Sequence, residues 1–369
     1  MSLVLHVVHY PGEMHLAVAE QGELVDFALW RPGAPDHVGD YFQARIEALV
    51  PGMGGAFVDL GLDTAGFLPL PKDAPPLTQG QAITVAVTRA ALGGKGVRVK
   101  LATPECAIPP ADSARQGSSR LIATGPTPLE RLAALWPHAS IVVDSPAAAA
   151  LVPPALRDRK QQGFHALPED IAAACSELEE TDVDLPGGLS ATITPTPALI
   201  AIDMDAPPTQ GVLPKQTAQY AANKAALPAL MRQIRLRNLS GALVIDPAGL
   251  AIRKRQALLP PVQEALQADP LRPRCLGVTA LGLIEILRPR VLPSLPELLN
   301  SPHGRALAAL RHIVTHAPGT TSLLVGSRIL HALEQDPQAV ADCTRAIGHG
   351  LNVVLTPSLP DLHWSLAQP

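Results

Sequence analysis

Two short apolar segments, each ending in an aspartate, enclose a long helical stretch in the middle of the chain. The first runs over 199–202 and ends at Asp203, and the second runs over 242–245 and ends at Asp246. The stretch between them, 216–239, contains Pro228, which predicts a kink or a break in the helix. Ligand sites of α/β folds favour the carboxyl ends of strands, so we expect neighbouring strands to present both carboxylates together.

A pair of strand-end carboxylates suits a magnesium ion, which takes a few carboxylate oxygens and keeps several waters. A metal bound in this way can orient water and neutralise charge on a phosphodiester. Aspartate is also an ordinary residue at the end of a strand. The pattern of Asp203 and Asp246 alone therefore leaves both interpretations open.

The net charge of −4 argues against nucleic-acid binding, but the charges are unevenly distributed. Between residues 206 and 260 there are eight Lys or Arg residues, and Asp246 is the only acid. Residues 169–184, in contrast, carry seven acids and no base. A positive segment around one aspartate favours a site that handles phosphate groups. The alternative is a solvated basic face of a helix.

The remaining pattern predicts a mixed α/β chain. Alternating residues at 3–27 indicate a strand hairpin rather than a signal peptide. Short strand candidates separated by glycine or proline turns predict a small closed barrel of the OB type; they are 41–49, 55–59, 66–68, 81–88 and 97–100. Residues 103–120 are rich in turn residues and predict a linker. Strands alternate with helical stretches over 121–185 and again over 303–366.

The sequence also indicates where the protein is located. It has no apolar run of 18 residues, so we expect no membrane span. The four cysteines lie far apart and none belongs to a CxxC pair, which favours buried reduced thiols. We therefore expect a cytoplasmic protein.

Several sequence blocks, taken in order, resemble the RNase E/G family of bacterial endoribonucleases. The blocks are 55–61, 66–70, 185–188, 198–205, 217–218, 232–241, 244–246 and 282–285. The most specific part is RQIRLRNLSG at 232–241 with the VID that follows it. Residues 325–340, 353–357 and 363–364 resemble the family's small domain, so the resemblance covers essentially the whole chain.

The resemblance implies a mixed α/β (α+β) catalytic region of several subdomains. The implied parts are N-terminal strands of an RNase H-like subdomain (1–36), an inserted OB-type RNA-binding barrel (37–101), a shortened sensor region with the rest of the RNase H-like part (102–185), a DNase I-like catalytic subdomain (186–298) and a small C-terminal α/β domain (299–369).

The resemblance also implies the site residues. Asp203, Asp246 and Asp205 would be catalytic. Asp203 and Asp246 would bind magnesium, and Asp205 stands where the family usually has an asparagine that helps orient the site. The RNA-binding residues would be Phe57, Phe67, Lys95, Arg235 and Arg237. Aromatic side chains such as Phe57 and Phe67 stack on bases with little sequence preference. Composition alone would instead place both phenylalanines in the barrel core and Lys95 on an ordinary surface.

Two departures from the family change the expectations. The zinc-linking motif CPxCxG is absent and 299–304 reads LNSPHG instead, so we expect no zinc and, if the chain dimerises, a homodimer without a zinc link. The segment that recognises a 5′-monophosphate is shortened to 121–125, which keeps Thr124 but has lost the arginine. Without a guanidinium to bind phosphate, we expect little preference for 5′-monophosphorylated RNA.

The expected function is a magnesium-dependent endoribonuclease of RNA processing or decay. It would cleave single-stranded RNA by a metal-activated water and leave 5′-phosphate and 3′-hydroxyl ends. The alternative is an RNA-binding relative with weak or lost cleavage, and a third interpretation is a structural partner in a larger assembly. Two clustered carboxylates are costly to keep in a dead site, which favours cleavage.

Overall fold

The computed structural model describes residues 3–71, 76–102, 119–207 and 214–367. Their strands are β1 (Leu3–Tyr10), β2 (Glu13–Glu20), β3 (Glu23–Trp30), β4 (Tyr41–Val50), β5 (Gly55–Asp59), β6 (Gly66–Pro69), β7 (Ala82–Arg89), β8 (Arg98–Leu101), β9 (Arg120–Ala123), β10 (Ser140–Val143), β11 (Asp182–Leu185), β12 (Leu189–Pro195), β13 (Ile200–Asp205), β14 (Gly241–Asp246), β15 (Arg274–Val278), β16 (Ile284–Arg288), β17 (Ser322–Val325), β18 (Asn352–Leu355) and β19 (Trp364–Leu366).

The helices alternate with these strands. They are α1 (Pro128–Leu135), α2 (Pro146–Ala150), α3 (Glu169–Glu177), α4 (Lys215–Leu236), α5 (Ile252–Ala257), α6 (Leu259–Leu266), α7 (Leu295–Asn300), α8 (Pro302–His316), α9 (Ser327–Gln335) and α10 (Pro337–Ile347). The chain divides into two units: 1–34 with 132–289 and 294–369, and 35–131 with 290–293.

The largest sheet of the first unit has the strand order β11-β12-β13-β14-β16-β15. Strands β13 and β14 are parallel neighbours, and α4 is the crossover between them. Helices α4 and α6 pack on one face of this sheet, where Leu227, Leu230 and Val262 join the buried core of its strands. Apolar residues alternate along each strand, so every second side chain faces the helices.

Two smaller sheets complete the first unit. The N-terminal sheet has the order β10-β1-β2-β3, in which β10 runs parallel to β1. The C-terminal sheet has the order β18-β17-β19 and packs with α8, α9 and α10 around a separate core. The hairpin pattern of 3–27 is therefore confirmed as strands.

The second unit contains a closed barrel. The strand order of the barrel is β5-β6-β8-β7-β4, and an additional pairing of β5 with β4 closes the ring. Strand β9 pairs with β4 at 41–43. Phe42, Ile46, Val58 and Leu68 are among its buried residues. The barrel and the mixed α/β class predicted from the sequence are confirmed.

Several element boundaries differ from the sequence expectation. Helix α4 continues through Pro228 without a break. A proline inside a helix costs about 3 kcal/mol, but the neighbours Leu227 and Leu230 are fully buried against the sheet, and this packing keeps the helix intact. Residues 252–266 form two short helices, α5 and α6.

The expected linker at 103–120 lies mostly outside the described residues. Within the described ranges, we find no helix with the length and apolar composition needed to cross a membrane.

Candidate active site

Asp203 and Asp246 lie opposite each other on adjacent parallel strands. Asp203 in β13 is the register partner of Asp246 in β14. Paired residues point to the same face of a sheet, and neighbouring strands are about 4.8 Å apart. The preceding residues, Ile202 and Ile245, are buried on the helix-covered face. Both carboxylates therefore project from the opposite face, side by side.

Asp205 adds a third carboxylate to the same face. Strand β13 does not end at Asp203, as the sequence suggested, but runs on to Asp205. Side chains alternate along a strand, so Asp203 and Asp205 share a face and lie about 6.6 Å apart along it. Both are exposed, whereas Met204 between them is buried.

An arginine from the following helix orients Asp246. Nη1 of Arg255 in α5 donates to Oδ1 of Asp246 at 2.5 Å. The same guanidinium donates to the carbonyl oxygens of Leu250, at 2.7 Å, and Gly282, at 3.0 Å. The Arg255 side chain is 15% exposed and that of Asp246 is 46% exposed. Arg255 is thus held in place itself and engages one of the two carboxylate oxygens.

A buried asparagine of α4 holds the loop that follows Asp246. Nδ2 of Asn223 donates to the carbonyl oxygens of Gln219, at 2.8 Å, and Ala248, at 3.1 Å. Its Oδ1 accepts a hydrogen bond from the Ala248 amide at 3.0 Å. Asn223 is fully buried. Its side chain therefore fixes the backbone two residues after Asp246.

A second amide of α4 fixes the far end of the same loop. Nε2 of Gln216 donates to the Gly249 carbonyl at 2.9 Å, and its Oε1 accepts from the Ala251 amide at 3.0 Å. Gly249 has a φ of +62°, and a Cβ there would lie 2.3 Å from Nε2 of Gln219. Because L side chains rarely adopt such a positive φ, this position favours glycine. The segment 247–251, which joins Asp246 to the helix of Arg255, is therefore clamped by α4.

Asp203 and Asp246 are the residues that could hold a metal ion. Among the described residues, no group of three or more His, Cys, Asp or Glu side chains is arranged to bind a metal. Among the described residues, the donors that Asp203, Asp205 and Asp246 offer at this edge are carboxylate oxygens. Such a set fits a hard cation that keeps most of its water ligands, rather than one that needs nitrogen and sulfur donors.

Arg237, which the resemblance implied as an RNA-binding residue, is enclosed by the protein. Arg237 is 2% exposed. Its Nη2 donates to the carbonyl oxygens of Glu177, at 2.8 Å, and Glu180, at 3.2 Å, and its Nη1 donates to the Gln233 side chain. Burial lowers the pKa of this guanidinium to about 10. A side chain enclosed in this way cannot reach a ligand in solvent, so it ties α4 to the segment after α3.

The neighbouring arginines of α4 also have structural partners. Nη2 of Arg235, which is half-buried, donates to the Val25 carbonyl at 2.6 Å. Arg232 forms an ion pair with Glu23 at 2.7 Å. Both contacts join the end of α4 to β3. A role of Arg235 in RNA binding stays a prediction.

Phe57 and Phe67 lie outside the buried core of the barrel. They are register partners on β5 and β6 and are both partly exposed. Their rings meet edge to face with centroids 5.7 Å apart. The buried residues Ala56 and Val58 alternate with Phe57. The pair therefore forms an aromatic surface on the outside of the barrel rather than part of its interior.

Lys95 and Thr124 are the remaining residues named from the sequence in this unit. Lys95 is exposed in a tight turn, where its amide and carbonyl both pair with Leu92 at 3.0 Å. Thr124 is exposed directly after β9. Both side chains are accessible.

The matches with known proteins include the sequence blocks between residues 185 and 285 that were named above. The model of the Ribonuclease E/G family matches residues 156–291, which contain β13, α4, β14 and α5. Ribonuclease E of a Nostoc species is 35% identical over 153 residues, covering 41% of this chain and 22% of that protein. Ribonuclease E of Escherichia coli is 37% identical over 120 residues, covering 32% of this chain and 11% of that protein.

A longer match is found with ribonuclease G of Escherichia coli. It is 24% identical over 415 aligned positions and covers 83% of this chain and 84% of that protein. The matches with the ribonuclease E proteins are closer in sequence, but there the chain spans about a fifth or less of the relative's length.

Proposed function

We propose that the chain, whose residues 156–291 match the model of the Ribonuclease E/G family, is an endoribonuclease that cleaves single-stranded RNA at Asp203 and Asp246. The observation that carries this proposal is the register pairing of the two aspartates on adjacent strands. The products would be 5′-phosphate and 3′-hydroxyl ends, and the reaction would serve RNA processing or decay.

Magnesium is the metal that we propose for this pair, since two adjacent carboxylates offer it hard oxygen donors. When bound, it would supply an oriented water and neutralise charge on the phosphodiester. Arg255 keeps Asp246 in one orientation through the 2.5 Å bond to Oδ1. Asp205, exposed on the same face, adds negative charge that would strengthen cation binding and weaken the approach of a phosphate.

The barrel supports an RNA ligand separately. Phe57 and Phe67 present ring faces and edges on its outside, and stacking of a base on such a ring contributes about 1–3 kcal/mol. Lys95, exposed in its turn, would add a contact to the RNA backbone. A homodimer without a zinc link and a cytoplasmic location stay predictions of the sequence.

The decisive test is cleavage of a fluorescent single-stranded oligoribonucleotide with and without magnesium. Asp203→Asn and Asp246→Asn are each expected to lower the rate by at least about 100-fold, because each removes a carboxylate that would bind the magnesium ion. Asp182→Asn is the matched control, since Asp182 lies in the same register row two strands away and accepts a hydrogen bond from Thr192.

The control variant should cleave at the rate of the unmodified protein. Cleavage that survives both active-site substitutions would refute the site. Binding of the oligonucleotide without any cleavage by the unmodified protein would instead favour an RNA-binding relative that has lost its activity.

A further inference from the structure

A row of side chains crosses the outside of the barrel from an aromatic pair to a pair of arginines. Phe57 pairs with Phe67, Phe67 pairs with Arg98, and Arg98 pairs with Arg89. Register partners point to the same face of a sheet. The four residues therefore lie on β5, β6, β8 and β7 in one line across the strands.

A third arginine joins this row from a distant part of the sequence. The Ala90 amide donates to the Val291 carbonyl at 2.9 Å, which places 290–293 against the end of β7. Arg290 is exposed and close enough for its charge to act on Arg89. Three positively charged side chains thus lie near one another at the end of the aromatic row.

Arg89 is the arginine of this cluster whose pKa is lowered by the positive charges of the other two. Burial, and the charges of Arg98 and Arg290, lower the pKa of Arg89, and no carboxylate of the described residues acts on it. Nε of Arg89 is buried and has no hydrogen-bond partner within the described part of the chain. Like charges held together beside an unused donor are stabilised by an anion that bridges them.

We propose that Arg89, Arg98 and Arg290 form a phosphate-binding subsite for single-stranded RNA, next to the stacking pair Phe57 and Phe67. Bases stack on the phenylalanines while the guanidiniums bind the phosphodiesters that follow. Planar guanidiniums suit this ligand because each can donate two parallel hydrogen bonds to a phosphate. The choice of RNA as the ligand rests on the proposed function, whereas the anion site follows from the arginines themselves.

The test measures binding separately from cleavage. A fluorescent oligoribonucleotide is titrated with the full chain in EDTA, and its anisotropy is followed at several salt concentrations. Arg89→Gln/Arg98→Gln is expected to weaken binding about tenfold and to reduce the salt slope by about 0.7 for each phosphate that the variant no longer binds. The weakening should be equal for oligo(U) and oligo(A), since phosphates carry no sequence.

Two controls separate the subsite from general charge and from misfolding. Arg45→Gln removes the same charge from the same barrel at a residue that donates to the Gly80 carbonyl, and it should bind as the parent does. Arg89→Lys/Arg98→Lys keeps the charges, so its salt slope should remain while its affinity falls.

Three outcomes would overturn the proposal. One is a parent that binds RNA with the same salt slope as the glutamine variant, and another is a parent that does not bind RNA at all. The third is calorimetric binding of inorganic phosphate at constant ionic strength that the glutamine variant loses while its RNA affinity is unchanged, which would make the cluster a site for the free anion. Cleavage assayed in parallel with magnesium reports on the proposed function independently.

Discussion

Both halves of helix α4 carry polar side chains that form hydrogen bonds, but the two halves bind different parts of the protein. The N-terminal half uses neutral amides: Gln216 and Asn223 hold the segment 247–251 through its backbone. The C-terminal half, together with Arg237 directly after it, uses guanidiniums: Arg232, Arg235 and Arg237 contact β3 and the segment after α3.

This difference between the two halves is the opposite of what the distribution of charged residues predicted. The basic residues of this stretch were expected to face a phosphate, but Arg237 is buried and serves the packing of the first unit. The uncharged residues are the ones that reach the candidate active site, because they fix the loop between Asp246 and Arg255. An amide can both donate to and accept from backbone groups in one small side chain, whereas a guanidinium only donates.

Among residues that position the two aspartates, the largest effect on cleavage is expected from Asn223→Asp. The substitution keeps the shape but replaces the Nδ2 donor with an acceptor, so an oxygen would face the carbonyls of Gln219 and Ala248. Water cannot replace the missing donor at a fully buried position. We expect kcat to fall by about 10- to 100-fold with little change in KM, because the loop shifts Asp246 relative to Asp203.

Gln233→Glu makes the same chemical change in the other half of α4. Its carboxylate would still accept from Arg237, so cleavage should be retained. The comparison between the halves fails if both variants lose activity equally, or if Asn223→Asp cleaves at the parental rate while remaining folded by circular dichroism.

A smaller effect is expected from Arg255→Gln. The contact between Arg255 and Asp246 is half-exposed, so water can take the place of the guanidinium in part. Loss of an outer partner of a metal ligand lowers affinity or activity by about tenfold or more. We expect the magnesium concentration for half-maximal cleavage to rise about tenfold, with a matching loss of magnesium affinity in calorimetry.

Arg253→Gln removes the same charge from an exposed position of the same helix and is the control. Arg255→Lys should recover little, since one ammonium cannot reproduce the separate Nε and Nη1 bonds. Unchanged magnesium affinity in Arg255→Gln would show that Arg255 does not position Asp246.

The local patterns explain why part of this arrangement could be predicted from the sequence. Two apolar strands that end in aspartates, with one helix between them, determine that Asp203 and Asp246 lie on parallel neighbours. Short alternating runs with glycine turns likewise determine the barrel. These features depend on residues close together in sequence, or on the simple rules of strand pairing.

Two features could not be predicted, because they depend on residues that meet only in the folded protein. One is the hold of α4 on the segment 247–251, and the other is the group of Arg89, Arg98 and Arg290 beside the aromatic pair. Asn223 meets Ala248, 25 residues away, only after α4 packs on the sheet. One signal was available: Gln219 and Asn223 continue the buried stripe of Leu227 and Leu230 on the same helix face. Two amides in an apolar stripe indicate a specific buried hydrogen bond.

Arg237→Met is expected to have little effect on cleavage but a large effect on the stability of the fold. The methionine keeps an apolar stem, but the carbonyls of Glu177 and Glu180 lose their bonds to the guanidinium. A hydrogen bond to a charged group contributes about 1.5–3 kcal/mol, so the free energy of unfolding measured in urea should fall by about 2–4 kcal/mol. At urea concentrations well below the midpoint of unfolding, the kcat of the variant should remain within about twofold of the parent's. A drop in kcat as large as that of Asn223→Asp, with RNA affinity reduced as well, would restore Arg237 to the active site and remove the distinction between the two halves of α4.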